Sequence, residues 1–235
     1  MLLREIEICT LFDARNAPEI ARRREQWQSL PIEEREGSFE AFLDRYGHIT
    51  RMGERSDQTG LMRLGVYAAL KLPDELIEFY LRIGKLESGG PHGPVDVFSV
   101  HKLLAQLEMS VEESPSSRLK SMGLLDLVNR VWGNGRFELD PANGCIELDA
   151  LNHINANYRG IGWVWVEPGL EAHEFIYFDT EGRFGTVFYH QDDFEMFHDE
   201  ELLPMLTRSP AHRTLSDIIL SARCDMWEDE DEDEA

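Results

Sequence analysis

The spacing of apolar residues changes along this chain, and the change limits the folds open to it. Before about residue 136, apolar side chains recur at helical spacing, most clearly in LPDELIEFYLRIG (72–84). Farther on they alternate, as in IGWVWV (161–166), EFIYFD (174–179) and RFGTVFYH (183–190). Short connections between such strands favour antiparallel neighbours. We therefore predict an α+β protein with an antiparallel sheet.

The predicted sheet is a meander of about five strands packed by helices. RFELD and CIELD, within residues 136–149, flank an Asn-Gly pair and predict a hairpin. VDVFSV (95–100) predicts a short strand followed by a helix over HKLLAQLE (101–108). A closing helix is predicted over TLSDIILSARCDMW (214–227), with Thr214 as its N-cap.

The first sixty residues predict an N-terminal helical extension. One helix is expected to start near Pro18, because proline is tolerated in a first turn. A second is expected after Ser38, ending at Gly47, with a polar loop over 51–60. The sequence thus divides into three parts. They are a helical extension (1–60), an α+β domain (61–227) and a disordered acidic tail (228–235).

Negative charge is concentrated in the second half of the chain. The net charge is −22, of which residues 121–235 hold −18, including seven consecutive carboxylates from Glu228 to Glu234. Such a field repels the phosphates of nucleic acids and anionic membranes. It attracts basic proteins and speeds their encounter. We therefore predict a basic protein partner, and neither a nucleic acid nor a membrane.

Several common signatures of compartment and chemistry are missing from the sequence. The three cysteines are far apart and form no Cys-x-x-Cys pair, which suits a reducing compartment. MLLREIEICT at the start does not resemble a signal peptide, so a cytoplasmic location is predicted. The sequence contains no phosphate-binding loop, nucleophile elbow or zinc-protease motif. Hence no cofactor is predicted, and binding is favoured over catalysis.

One segment leaves an enzymatic alternative open. HQDDFEMFHDEE (190–201) places two imidazoles and six carboxylates within twelve residues. Both groups are competent ligands for a divalent metal, so a metal-dependent enzyme would use His190, Asp192, Asp193 and His198. The favoured interpretation is a solvated rim beside a strand end, with the aromatic residues of the segment anchored in the core.

The order of elements resembles the SUKH superfamily of Smi/Knr-type proteins. LPDELIEFYLRIG, the loop SGGPHGP and VDVFSVHKLLAQLE resemble its opening helix, Gly-rich turn, strand and second helix. IGWVWVEPGLEAHEFIYFDTEGRFGTVFYHQDDFE resembles its sheet, and the resemblance covers about 70–227. It implies a cytoplasmic binding module. Many bacterial members look like immunity proteins that neutralise a toxin, and fungal relatives look like regulators.

From these observations we expect a binding protein that neutralises a cognate, basic toxin domain. An intracellular regulatory or scaffold protein without a toxin partner is the alternative, and the oligomeric state stays open. The predicted partner contacts are acidic side chains beside the sheet with two aromatic anchors. They are Asp179, Glu181, Tyr189, Asp192, Asp193, Phe194, Glu195, Asp199 and Glu200.

Overall fold

The computed structural model describes residues 2–35, 37–88, 95–109, 121–132, 148–166, 172–190, 206 and 213–222. The helices in these ranges are α1 (Glu5–Ser29), α2 (Phe39–Tyr46), α3 (Gln58–Ala68), α4 (Asp74–Arg82), α5 (Val100–Glu108), α6 (Leu124–Trp132), α7 (Leu148–Asn157) and α8 (Leu215–Leu220). The strands are β1 (Thr50–Gly53), β2 (Lys85–Ser88), β3 (Asp96–Val97), β4 (Tyr158–Val166), β5 (Ala172–Asp179) and β6 (Phe184–His190). Among these helices, none is long and apolar enough to cross a membrane.

The strands form one antiparallel sheet in which spatial order equals sequence order, β1 to β6. This confirms the predicted α+β class and the predicted strands in β4, β5 and β6. The sheet has six strands because β1 and β2 pair along four residues each, which the sequence did not predict. The strand predicted over 95–100 is limited to Asp96–Val97, because Ser99 already caps α5.

The hairpin predicted within residues 136–149 lies mostly outside the described residues. Its last two residues, Leu148 and Asp149, begin α7 instead of ending a strand. Helix α7 leads directly into β4, and the side chain of Asn155 in α7 accepts the N–H groups of Leu125 and Asp126. These donors belong to the first turn of α6, where backbone N–H groups lack helical partners. One helix therefore caps its neighbour.

The expectation that the first helix starts near Pro18 is wrong, because α1 runs from Glu5 through that proline. Ile8 and Phe12 are fully buried in the main core, and this packing holds the first turns in helical form. The polar loop predicted over 51–60 contains the end of β1 and the start of α3. Residues 1–60 therefore share the core and the sheet of the domain that follows.

Both faces of the sheet are covered at β5. Four consecutive residues, Phe175, Ile176, Tyr177 and Phe178, are buried, although alternate side chains of a strand point to opposite faces. On one side α6 approaches so closely that a Cβ on Gly160 would lie 2.6 Å from Leu127. On the other side the neighbouring residue of β4, Arg159, donates to the carbonyl of Ala68 at the end of α3. Helices thus form layers on both sides of the central strands.

Local signals at the helix ends are confirmed. Ser38 accepts a hydrogen bond from the N–H of Ala41, and Thr214 forms a reciprocal capping box with Asp217. Pro73 immediately precedes α4. Gly84 ends that helix region with φ +93°, and a Cβ there would lie 2.1 Å from the carbonyl oxygen of Gly53. Only glycine fits that crossing of two chain segments.

Candidate functional site

The turn between β5 and β6 is held by the carboxylate of Asp179. Its Oδ1 accepts the backbone N–H groups of Glu181 and Arg183, both at 2.9 Å. Its Oδ2 accepts Nε of Arg183 at 2.7 Å. The side-chain hydrogen bond that Arg183 donates to Asp179 raises the pKa of the Arg183 guanidinium. An aspartate that bonds the backbone two and four residues ahead fixes a tight turn.

Asp179 is only 5% exposed, so its predicted role as a partner contact stays a prediction, with little of its surface open to a partner. All the hydrogen bonds of its carboxylate described above lie within the turn. Glu181, two residues farther on, has a side chain that is 67% exposed and lies 3.1 Å from Arg183. Of these two predicted contacts, Glu181 is therefore the one whose carboxylate can meet a partner.

A groove of about 470 Å³ adjoins this turn. Its walls come from the turn, from the start of α4 and from the segment before α8, and include Lys71, Asp74 and Arg213. Lys71 and Asp74 form an ion pair at 3.4 Å, and Arg213 donates to the hydroxyl of Ser221. Because both signs of charge line the groove, it offers charged hydrogen-bond donors and acceptors to a polar segment of another protein.

The floor of the groove contains a buried carboxylate, that of Glu75 in α4. It accepts the N–H groups of Leu215 and Ser216, at 3.2 and 2.9 Å, and also the hydroxyl of Ser216. A negative charge at the start of a helix satisfies backbone donors that lack helical partners. Glu75 therefore joins α4 to α8 and is fully engaged in that structural role.

The predicted contacts that the structure describes lie at both ends of the β5–β6 hairpin. Tyr189 pairs with His173 at the other end of the β5–β6 hairpin. Five residue steps separate Phe184 from Tyr189, which is roughly 17 Å along a strand. Asp192, Asp193, Phe194, Glu195, Asp199 and Glu200 lie outside the described residues.

The excess negative charge of the chain is carried mainly by residues outside the described ranges. The described residues contain 23 Asp and Glu against 18 Lys and Arg, whereas the remaining residues contain 22 against 5. The described framework is thus close to electrically balanced, with ion pairs across its surface such as Arg63–Glu108 and Lys85–Glu87.

A second group of charged side chains joins β1, β2 and β3. Lys85 lies 2.5 Å from Glu54 and 2.7 Å from Glu87, while Asp96 faces Glu87 across the strands and lies 3.4 Å from Lys102. Burial raises the pKa of Asp96 to about 6. The two lysines stand between the carboxylates, so this group is an internal ionic cluster.

Most residues of the predicted metal site lie outside the described ranges. Within the described ranges, no group of three or more His, Cys, Asp and Glu side chains is placed to hold a metal ion. His190 is described only as the last residue of β6, and Asp192, Asp193 and His198 fall outside these ranges. The enzymatic alternative therefore stays a prediction.

Sequence reasoning did not identify the groove. Lys71, Asp74 and Arg213 come from segments more than a hundred residues apart, and only the fold brings them to the turn. The one local signal in this region was the N-cap at Thr214, which places the start of α8 but not its neighbours.

The observed architecture is that of an α+β protein with an open antiparallel sheet between helical layers. A scan against protein-family models and searches of curated proteins and of solved structures found no match to the chain.

Proposed function

We propose that this chain is a cytoplasmic binding protein that neutralises a basic toxin domain through its acidic C-terminal half. One observation carries the proposal. Residues 121–235 hold 25 acidic and only 7 basic residues, so they carry −18 of the net charge of −22. Most of these carboxylates have no cation of their own half to balance them, which favours cations on another molecule as their partners.

Electrostatic complementarity explains what those carboxylates would do. Opposite potentials on two proteins raise the rate of encounter and fix their mutual orientation. Toxin domains that cleave nucleic acid carry basic surfaces for phosphate binding, and an acidic protein can cover such a surface. Glu181 lies in this half of the chain, and the groove beside it, which residues 71–75 also line, adds a shaped contact beside the diffuse charge.

The resemblance to SUKH proteins supports the same function. Helix α4, strand β3, helix α5, strands β4 to β6 and helix α8 follow the order in which the sequence resembles that superfamily, whereas β2, α6 and α7 were not part of the resemblance. In bacterial members this arrangement belongs to proteins that look like immunity proteins. The toxin partner and the cytoplasmic location come to this chain from that resemblance together with its charge.

The proposal is tested with the product of any toxin-like gene adjacent to this one. We expect the purified chain to bind that protein, with affinity falling as sodium chloride rises, because exposed charge contacts are screened by salt. Co-expression is expected to restore growth of cells that produce the toxin. A bound neighbour without toxicity would support the scaffold alternative instead, and absence of binding would contradict both.

Two variants with equal charge changes locate the binding surface. The first variant replaces five acidic residues with the matching amides: Asp192, Asp193, Glu195, Asp199 and Glu200. Affinity for the toxin should fall by about tenfold to a hundredfold, because a solvent-exposed ion pair with the partner contributes under about 1 kcal/mol. The control changes five acidic residues of the N-terminal half that are all exposed in the structure: Asp13, Glu25, Glu33, Glu34 and Glu40. Equal losses in both variants would contradict the proposed surface.

A further inference from the structure

Helix α3 has an apolar face that the described part of the chain leaves uncovered. Met62 is 74% exposed and Val66 is 78% exposed, while Leu61, Leu64 and Ala68 on the opposite side are buried. We call the exposed side the α3 outer face. It consists of Gln58, Thr59, Met62, Gly65, Val66 and Ala69.

Gly65 is half-buried and lies halfway along this face, at its edge nearest to Leu61, and the described residues give it no packing role. A Cβ at this position would meet no atom within 4 Å. At Gly60 in the same helix, by contrast, a Cβ would lie 2.5 Å from the hydroxyl of Ser56. Glycine in a helix interior lowers stability relative to alanine. The cost at Gly65 is explained if a second helix approaches the backbone there, next to the small side chain of Ala69.

The lack of charge on this face argues against a basic partner and favours a second copy of the chain. Residues 58–70 contain a single charged side chain, Arg63, which is paired with Glu108 at 2.5 Å. The surface is therefore neutral in a chain of net charge −22. A basic partner gains nothing there, whereas two copies of this chain repel each other least where neither carries charge.

We propose that the α3 outer face is a self-association surface, on which two copies of the chain pack their α3 helices antiparallel about a two-fold axis near Gly65. The contact is isologous, so Met62 and Val66 of each copy meet the same stretch of the other. One helix face covers less than the about 800 Å² per partner of a standard interface. The dimer is therefore weak, and it dissociates on dilution.

The salt dependence has the opposite sign to that of toxin binding. Salt screens the repulsion between two acidic copies, so the dimer tightens as sodium chloride rises. Sedimentation equilibrium of the full chain over a series of protein and salt concentrations measures this directly. A monomer at every concentration, or a dimer that weakens with salt, overturns the inference. Neither result affects the proposed toxin binding, which is measured separately.

Substitutions at one exposed apolar site on each of two helices provide the matched test. Val66→Glu places a charge at the contact and should weaken the dimer by about tenfold or more, because an unpaired charge is costly to bury. Ile6→Glu makes the same change on α1, where the side chain is 81% exposed, and should leave dimerisation unchanged. Equal dissociation constants for these two variants would exclude the α3 outer face.

Gly65→Ala separates folding from association. Its Cβ enters open space within one chain, so the thermal midpoint of the dilute monomer should rise by about 2–4 °C. The same Cβ enters the contact between two copies, so the dissociation constant should increase. If Gly65→Ala stabilises the chain and leaves association unchanged, the close approach at Gly65 is wrong.

Discussion

Arg159 of β4 donates through Nε to the backbone carbonyl of Ala68, the last residue of α3. The same buried guanidinium donates through a second nitrogen to the carbonyl of Asn155 near the end of α7. Carbonyl groups at helix C-termini carry partial negative charge, so two helix ends stabilise this cation. Burial still lowers the pKa of Arg159, as expected for a cation taken out of water.

Arg159→Met should destabilise the chain by about 2–4 kcal/mol, because it leaves the carbonyls of Ala68 and Asn155 without their donor. Urea unfolding followed by circular dichroism measures the change. Arg159→Lys should recover little of the loss, since an ammonium group cannot span both carbonyls as the planar guanidinium does. The control is Arg82→Met at an exposed ion pair with Glu5, where the loss should stay below about 1 kcal/mol.

Glu75→Ala should loosen α8 selectively. The substitution removes the acceptor for the N–H groups of Leu215 and Ser216, at a cost of about 1–3 kcal/mol. Hydrogen exchange of the amides in α8 should accelerate, while those of β5 change less. Asp74→Asn, next to it and exposed, serves as the control. Unchanged exchange in α8 would show that Glu75 does not hold this helix.

Asp96→Asn should raise the free energy of unfolding above that of wild type, and this gain should be larger at pH 8 than at pH 4. The folded pKa of about 6 lies above the ordinary aspartate value of 3.8, so the folded state holds the proton more tightly than the unfolded state. Above pH 6 the buried charge costs up to about 3 kcal/mol, from 1.36 kcal/mol per pKa unit. That cost fades as pH falls from 6 to 4.

Urea unfolding at pH 8, 6 and 4 measures this difference. The pKa of about 6 already includes the favourable effect of Lys102, so about 3 kcal/mol is the upper limit of the net gain. Destabilisation by Asp96→Asn at pH 8 would show that the ion pair with Lys102 outweighs burial.

Asp179→Asn and Glu181→Gln should separate structure from contact in the same turn. The first weakens the hydrogen bonds to Arg183 and should cost about 1–3 kcal/mol of stability. The second alters an exposed side chain and should change stability by less than about 0.5 kcal/mol while weakening binding of a basic partner. Thermal unfolding and titration calorimetry give the two readouts. Normal partner affinity in Glu181→Gln would remove the turn from the contact surface.

The sequence predicted those parts of the fold that depend on local chemistry. The alternation in β4 to β6 and the cap at Thr214 are each encoded within a few residues, and the structure confirms them. Strands β1 and β2 are four residues long and pair with partners far away in sequence, so no local pattern marks them. Helix α1 starts at Glu5, well before Pro18, because core residues distant in sequence hold its first turns in place.

The candidate site was less predictable, for the same reason. The charge of Asp179 is visible in the sequence, but its burial depends on Arg183 and on the packing of the turn. Likewise, Lys71 and Arg213 meet at one groove only after α4 and α8 are joined through Glu75. Exposure is a property of the folded chain, so residue type alone could not assign it.

Because each strand lies next to the one that follows it in sequence, no strand has to be inserted between two neighbours already in place. The sheet can therefore form strand by strand, starting with the long strands β4, β5 and β6 and adding the short strands afterwards. Contacts between neighbours in sequence close quickly during folding. Strand β1, at the outer edge and four residues long, would then be the last to join and the first to detach under mild denaturant.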